Sequence, residues 1–452
     1  MEQTDKKVNP YRIGEWLPSD QKILHNWIAD LIEESEERKK PYHPVIHELQ
    51  NLIESNGEIY ALVSMMFDQV PKKYEFSEYG KQIRNYHRFL DLLNLIMTKS
   101  PTYNDTGCVG FPINAILDWA MGTEGGFAAF LNNMLNAQLK KVLNHWGTFL
   151  MSPDSAYVLS TENEPIKGSE KRRAKEYYWL SDKAMVAMAN MLRKDLPPLK
   201  PDQHDIAREE FIETFVCDDK KPHYGFNCWD DFFLREFREG KRPVAEPEND
   251  SVIVNACESA PYKISRGEDV KLRNKFWIKG QPYSLQHMLD NDEMAELFTG
   301  GTIYQAFLSA KSYHRWNSPV SGKVIKTKNI DGTYYSETPT EGYDPAAPND
   351  SQGYIAEVAA RGLIFIKAHN PKIGIICIVF IGMAEVSSCD IRVYEGQNVK
   401  KGQPLGMFHF GGSSHCILFQ KGVNVEFHLP KDNPPSLNAY NLYVNSTLAT
   451  VK

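Results

Sequence analysis

The sequence lacks the cysteine spacing and the long apolar runs that would mark several classes of protein. Its seven cysteines among 452 residues are scattered, odd in number and never spaced as CxxC. This argues against a disulfide framework or a zinc site and favours a reducing compartment. The longest uncharged apolar run, at 373–384, is shorter than the roughly 20 residues that span a bilayer. The first residues also lack the apolar segment of a signal peptide. We therefore predict a cytoplasmic protein without an integral membrane segment.

A surplus of basic residues is missing as well. Lysine and arginine together number 51, against 58 aspartate and glutamate residues, for a net charge of −7. The basic run EKRRAKE at 170–176 is interleaved with acidic residues, as is typical of a solvated surface. The charge balance therefore gives no argument for nucleic acid as a partner.

The amino-terminal half shows the pattern of amphipathic helices. Between Phe127 and Leu143 apolar residues recur every three or four positions, which is the helical period. Looser versions of the pattern occupy residues 21–35, 45–68 and 79–98. Because such stripes usually form a hydrophobic core, we assign no chemistry to this half.

A proline-rich joint, LPPLKPDQHD at 196–205, separates this half from the rest of the chain. We place a domain boundary there, with a helical domain over residues 1–205 and a second domain over 206–452. The second domain opens with a predicted helix over 227–243, NCWDDFFLREFREGKRP, which ends at a glycine with a proline beyond.

After about residue 250 the sequence acquires the pattern of a β domain. Short runs rich in β-branched residues are separated by Gly, Asn, Asp and Pro, which predicts mainly antiparallel strands and an α+β fold for the whole chain. One long interruption, at 336–354, is too rich in Pro and Asp for a core position. It is either a lid or binding loop or a plain surface excursion.

The segment with the most chemistry is GMFHFGGSSHCILF at 406–419, where Gly411, Gly412, Ser413 and Ser414 interrupt an apolar strand. A serine hydroxyl can attack the carbonyl of the preceding residue, and glycine there tolerates the strained backbone that the attack needs. Elimination and hydrolysis of the resulting ester leave a pyruvoyl group at a new amino terminus. This ketone can form a Schiff base with an amine and act as an electron sink, as pyridoxal phosphate does. A bare turn is the plain alternative.

Two further residues could take part in such chemistry. His314 lies between aromatic residues in SAKSYHRWNSPVSG, and a decarboxylase needs one general acid to protonate the carbanion that CO2 leaves behind. Glu258 ends a hydrophobic strand in VNACESAPY, where its carboxylate could orient a histidine as in a catalytic triad. Both residues also have purely structural interpretations.

Together these segments resemble the phosphatidylserine decarboxylase family. The resemblance is carried by FFLREFREGKRP at 232–243, Glu258 after a strand, YHR at 313–315, and the pair Gly412-Ser413 in a late strand. The segments NACES, SYHRW, VFIGMAEVSSCD and GMFHFGGSS, with the helical half before them, are similar to the branch that contains the mushroom L-tryptophan decarboxylase. On that basis the resemblance extends over nearly the whole chain.

The resemblance implies how the chain matures. It implies self-cleavage between Gly412 and Ser413 and a covalent pyruvoyl group made from Ser413, with no pyridoxal phosphate and no metal. His314 would be the catalytic acid or base, and Glu258 stands where most of the family has Asp.

The resemblance also implies the reaction, which is the decarboxylation of an amino acid through a Schiff base. A phosphatidylserine enzyme needs an apolar helix or a basic amphipathic surface to reach the bilayer, and the sequence shows neither clearly. A free amino acid is therefore favoured as substrate over phosphatidylserine, whose product would be phosphatidylethanolamine. The resemblance implies that this amino acid is aromatic, such as L-tryptophan. A homo-oligomer is left open.

One position departs from the family pattern. The family has a second histidine three residues after the first, which is implied to activate the serine, and here that position is Asn317. An amide can form hydrogen bonds but cannot take a proton at neutral pH. We hypothesise that His314, His415 or His409 takes over. Side chains on a strand alternate with period two, and both His415 and His409 fall on the alternation of Ser413. The alternative is a non-cleaving pseudoenzyme that acts as a binding protein.

Two other classes fit part of the same region. SPVSGKVIK at 318–326 and YEGQNVKKGQPLGMF at 394–408 resemble the halves of a biotinyl or lipoyl carrier. Such a carrier should present a lysine at a hairpin tip, flanked by Met or Asp, and the candidates lack that setting: Lys326, Lys328, Lys367 and Lys372. A serine hydrolase that used Ser413 would lack the G-x-S-x-G elbow. The leading prediction is therefore a pyruvoyl-dependent decarboxylase.

Overall fold

A computed structural model describes most of the chain. The described residues are 22–70, 82–103, 111–193, 196–273, 283–309, 311–337, 351–386, 389–409, 411–436 and 438–452. Helices fill the described part of the amino-terminal half and strands dominate after residue 251. The predicted α+β class is confirmed.

Two of the apolar patterns in the amino-terminal half each correspond to a pair of helices in the structure. The helices up to residue 233 are α1 (Lys22–Glu37), α2 (Pro44–Ser55), α3 (Gly57–Asp68), α4 (Tyr86–Ile96), α5 (Pro112–Met121), α6 (Glu124–Leu131), α7 (Asn133–Leu150), α8 (Asp182–Leu192), α9 (His204–Thr214) and α10 (Trp229–Phe233). The patterns over 45–68 and from Phe127 each cover two helices, because an asparagine interrupts them. The side chain of Asn56 accepts the backbone N–H of Ile59 at the start of α3, and Asn132 caps α7 in the same way.

The helix predicted over 227–243 is wrong beyond α10. Leu234 already leaves the helical conformation, and the chain then runs alongside the residues that follow α9. The backbone N–H of Val216 donates to the carbonyl of Glu236, and Phe237 forms a β-bridge with Phe215. This pairing, together with stacking of the two phenylalanine rings, replaces the helical hydrogen bonds.

The described part of the second half is built mainly from short strands, with two short α-helices among its described residues. The strands are β1 (Val252–Val254), β2 (Ala260–Arg266), β3 (Val270–Lys271), β4 (Tyr283–Ser284), β5 (Thr302–Leu308), β6 (Arg315–Asn317), β7 (Gly322–Ile330), β8 (Arg361–Ala368), β9 (Ile375–Met383), β10 (Cys389–Ile391), β11 (Asn398–Val399), β12 (Pro404–Phe408), β13 (Gly412–Phe419), β14 (Val425–Phe427) and β15 (Thr447–Val451). The helices are α11 (Leu285–Met288) and α12 (Gln352–Val358).

The largest sheet has seven strands in the order β11-β7-β8-β9-β13-β5-β2, and all of its strand pairs are antiparallel. Two three-stranded sheets, β1-β15-β14 and β10-β12-β6, accompany it. Every residue of β13 is buried, because both faces of this sheet are covered. One face packs into a core that continues into the amino-terminal helices, and the other packs into a core within the β half.

Two sequence-based predictions, the domain boundary after residue 205 and the lid at 336–354, remain predictions. Helix α9 begins at His204 and packs against α8, and nothing in the fold tests the proposed boundary after residue 205. The predicted lid at 336–354 lies mostly outside the described residues, since only its ends are described. Among the helices that the structure does describe, none has both the length and the apolar character needed to cross a membrane.

Candidate active site

Ser413 lies in the middle of the large sheet. It is the second residue of β13 and pairs with Leu308 of β5 on one side and Gly382 of β9 on the other. The side chain is fully buried, and its hydroxyl has no hydrogen-bond partner among the described residues. An unpartnered buried hydroxyl is costly in a purely structural role, and the adjacent Ser414 has a buried hydroxyl without a described partner as well.

The backbone before Ser413 has little freedom. Gly411 has φ +150°, and a Cβ at this position would lie 2.3 Å from Cγ2 of Val386 and 2.6 Å from its backbone nitrogen. Only glycine fits at position 411, because the turn that follows β9 packs directly against its backbone. In that turn Ala384 adopts φ +52°, a conformation that a non-glycine residue rarely takes.

His415 is the histidine that lies on the strand of Ser413. The two residues are two positions apart in β13 and therefore face the same side of the sheet. The buried imidazole lies 6.0 Å from the ring of Tyr304 and 6.5 Å from that of Phe380, measured between centroids. Burial lowers the pKa of His415 to about 3. The ring is therefore neutral, and neither nitrogen has a partner among the described residues.

His314 lies just before β6, at the end of the loop that follows β5. Its ring stacks on Phe233 with 4.0 Å between centroids and 20° between planes. Burial, with a further contribution from the nearby charge of Arg235, lowers the pKa of His314 to about 3. This imidazole is therefore neutral in its resting state as well.

His409 does not lie on the strand of Ser413, so the predicted alternation is wrong for it. Strand β12 ends at Phe408 and β13 begins at Gly412, which breaks the period of two between them. His409 instead lies 3.0 Å from a carboxylate oxygen of Asp230 and 3.4 Å from one of Asp390. The hydrogen bond with Asp230 raises the pKa of His409.

Glu258 is buried and paired with an arginine. Its carboxylate accepts two hydrogen bonds from Nε of Arg242, at 3.2 and 3.1 Å, and one from Nη2 at 2.6 Å. It also accepts the backbone N–H of Val444 at 2.7 Å. Its contacts within the described chain include no histidine, so the expected triad-like pair is not formed.

Asn317 is held by a second asparagine. Its amide nitrogen donates to Oδ1 of Asn445 at 3.1 Å, while its own Oδ1 is buried without a described partner. Asn445 follows Val444, the residue that donates to Glu258. The segment 444–445 therefore links Asn317 with Glu258, and none of the contacts described for Asn317 reaches Ser413.

Arg235 and Phe233 lie near His314, and sequence reasoning did not single them out. Both belong to the FFLREF segment, for which the sequence predicted only a helix and a resemblance to a family motif. A charged arginine among aromatic residues, in a segment expected to be buried, is the sequence feature that could have indicated them.

The lysines considered for a carrier module have structural roles in part. Lys326 pairs with Asp292 at 2.6 Å and Lys328 with Asp290 at 2.7 Å, both from within strand β7 rather than from a hairpin tip. No cluster of three or more potential metal ligands occurs in the part of the chain that the structure covers.

Comparison with known proteins finds similarity to family models and relatives that are described as decarboxylases. Two family models, both described as phosphatidylserine decarboxylase, match residues 43–188 and 229–440. An L-tryptophan decarboxylase of Psilocybe cubensis is 34% identical, with 97% of this chain and 94% of the relative aligned. An L-tryptophan decarboxylase of Psilocybe cyanescens is 35% identical, with 90% and 88% aligned. The decarboxylase iboD of Amanita muscaria is 40% identical, with 72% and 87% aligned.

Proposed function

Because the chain belongs to the phosphatidylserine decarboxylase family, we propose that it is a pyruvoyl-dependent decarboxylase that cuts itself between Gly412 and Ser413. The observation that carries the proposal is the buried, unpartnered hydroxyl of Ser413 behind a backbone that only glycine can adopt at position 411. A pyruvoyl group fits this place, since it needs no hydrogen-bond donor from a side chain and would lie in a largely apolar core.

Maturation begins with the hydroxyl of Ser413. Its oxygen attacks the carbonyl carbon of Gly412, its proton passes to a base, and the peptide bond becomes an ester with a free amine. Loss of the α-proton of residue 413 breaks the ester, releasing the carboxyl group of Gly412 and leaving a dehydroalanine. One water molecule then replaces the nitrogen, which leaves as ammonia. The neutral imidazole of His415 supports the proton-accepting step, because it shares the strand face of the serine.

The pyruvoyl ketone, once formed, supplies a carbonyl that condenses with the substrate amine and an electron sink for the electrons that CO2 leaves behind. This chain's own residues exclude water and move protons. Ser413, His314 and His415 are all fully buried, and the ring of Phe233 covers one face of His314. A positioned general acid or base typically contributes about 10²–10⁴-fold to the rate of such a reaction.

We propose a free aromatic amino acid, L-tryptophan first, as the substrate. The support is that the relatives named L-tryptophan decarboxylase align over both halves of this chain, helical half included. The description of the family models keeps phosphatidylserine as the second candidate. A cytoplasmic location belongs to the same proposal.

The first test is the intact mass of the purified protein under denaturing conditions. We expect two chains, residues 1–412 and 413–452, the smaller beginning with a pyruvoyl group, while Ser413→Ala stays a single chain. A wild-type protein that remains one chain of 51.7 kDa would contradict self-cleavage and favour the pseudoenzyme.

The substrate is tested with the cleaved protein. CO2 release should occur with free L-tryptophan and be absent with vesicles that contain phosphatidylserine. The reverse result would reassign the substrate to the lipid.

A further inference from the structure

The loop that carries His314 begins beside the cleavage point. Leu308, the last residue of β5, is the direct neighbour of Ser413 in the sheet. The following residues form a turn in which the backbone N–H of Ser312 donates to the carbonyl of Ser309 at 3.0 Å, and His314 comes two residues later. The position of the imidazole therefore depends on what holds this loop.

Arg235 forms a hydrogen bond with the loop that carries His314. Its Nη2 donates to the carbonyl of Lys311 at 2.7 Å and its Nη1 to that of Phe232 at 3.3 Å. The guanidinium also lies 4.6 Å from the ring centroid of Phe215 and 5.1 Å from that of Phe232. All of these partners are neutral. Phe233, two residues before Arg235, stacks on the imidazole, so one short segment contacts both the loop and the ring.

Among the described residues, no carboxylate contacts the guanidinium of Arg235. Its side chain is buried, its Nε has no hydrogen-bond partner within the described chain, and none of the described ion pairs includes it. Glu258 is close enough to act on it electrostatically, but that carboxylate is occupied by Arg242. A buried charge that lacks a contacting counter-ion acts strongly on its neighbours, because little solvent screens it.

The charged and titratable groups around His314 support one protonation state. Arg235 lowers the pKa of His314, adding to the larger effect of burial. Tyr313, the adjacent residue, has a raised pKa because it is buried, and it is therefore uncharged. A contact with the backbone of Ser312 acts on the pKa of His314 in the opposite direction and is the smallest of the three effects.

We propose that Arg235 is a positioning residue that fixes the loop of His314 and places a buried positive charge near its imidazole. The catalytic consequence rests on the proposed function, whereas the positioning itself does not. His314 delivers a proton to the carbon from which CO2 has left, and the nearby positive charge weakens the hold of the imidazole on that proton. Solvent supplies this proton, which is the one proton that conversion of an amino acid into CO2 and an alkylammonium consumes.

The test uses the full chain with Ser413→Ala, which carries no pyruvoyl group whether or not the wild type cleaves itself. The ring signals of the 13 histidines are followed by NMR between pH 3 and 8, and His314 is assigned from its loss in His314→Gln. We expect the His314 signal to keep its neutral position down to about pH 4, since its pKa is lowered to about 3. In Arg235→Met we expect the midpoint of the His314 titration to rise by about one unit or more.

Two further variants distinguish an effect of the charge of Arg235 from a general effect on folding. Arg235→Lys keeps the charge and should leave His314 neutral, which also covers the case in which the methionine variant does not fold. Arg238→Met is the matched control, because Arg238 lies on the same segment and also donates to backbone carbonyls, yet it should not move the His314 signal.

Two results would overturn the proposal. One is a parent protein in which His314 titrates near its ordinary pKa. The other is a folded Arg235→Met protein whose His314 signal is unchanged. Failure of the proposed function is a separate result, because it would appear as an uncut wild-type chain while these NMR measurements stay interpretable.

Discussion

At the scale of single residues, maturation depends on which group takes the proton of Ser413. The asparagine at 317 cannot do so, and His409 lies outside the strand of Ser413, where it is held by the carboxylates of Asp230 and Asp390. His415 is neutral and buried on the same strand face. The geometry therefore favours His415 over His409 as the replacement for the missing histidine.

This assignment predicts the behaviour of three variants. His415→Gln should slow self-cleavage by about 100-fold, the lower end of the usual contribution of a general base. Adding Asn317→His to that variant should restore part of the rate, because the imidazole returns to the position that the family uses. The measurement is the fraction of cut chain against time by intact mass.

The matched control is His409→Gln, which should cleave at the wild-type rate. Rapid cleavage of His415→Gln would contradict the assignment and leave His314 as the base.

His409 predicts a pH-dependent contribution to stability. Its folded pKa is raised above the ordinary 6.5 by Asp230, so its stabilising effect is full below pH 6.5 and disappears as pH rises through the folded pKa. His409→Gln should therefore lower the free energy of unfolding at pH 6 by about 1 kcal/mol, as for a partly exposed ion pair, and by almost nothing at pH 9. Urea unfolding at the two pH values measures this, and an equal loss at both would be inconsistent with the ion pair.

At the scale of secondary-structure elements, Glu385 joins the two halves of the chain. It lies in the turn after β9, and its Oε1 accepts the backbone N–H groups of Ile113 and Asn114 at 2.9 Å each, at the start of α5. A carboxylate at a helix amino terminus is normally favourable. Here burial outweighs these hydrogen bonds and raises the pKa of Glu385 to about 7.

The raised pKa of Glu385 predicts how Glu385→Gln depends on pH. An unfolded glutamate loses its proton near 4.5, whereas the folded one keeps it to about 7, so the wild type loses stability between these values as pH rises. The amide does not titrate and retains an acceptor oxygen. The variant should therefore gain about 2 kcal/mol relative to wild type between pH 5 and pH 8. Chemical unfolding at both pH values checks this, and a pH-independent difference would exclude a titrating Glu385.

At the scale of the whole molecule, the proposed cut divides a sheet rather than two domains. Strand β13 lies between β9 and β5, and β15 pairs with β1 from the other side of the cut. The core on one face of β13 continues into the amino-terminal helices. The short piece after the cut is therefore an integral part of the fold.

We accordingly expect residues 413–452 to remain bound to residues 1–412 after cleavage. Size-exclusion chromatography of the cut protein in native buffer should give one peak that contains both pieces, and they should separate only in denaturant. Loss of the small piece in native buffer would contradict the sheet order.

The sequence by itself determined the features that depend on local periodicity. Helices in the first half, strands after residue 250 and a buried strand around Ser413 follow from patterns that backbone geometry imposes on neighbouring residues. His415 could be placed beside Ser413 by the same rule, since both lie in one uninterrupted strand. The rule failed for His409, because a break between two strands leaves no periodic signal.

Only the tertiary structure decided which distant side chains meet. The pairing of Glu258 with Arg242, the position of Arg235 beside the loop of His314, and the contact of Glu385 with α5 join segments that no short-range pattern connects. The physical reason is that these contacts arise from the packing of elements in a common core and from the burial of charge, which depend on the path of the whole chain. The same packing fixes which histidines are neutral, and with them the chemistry open to the site.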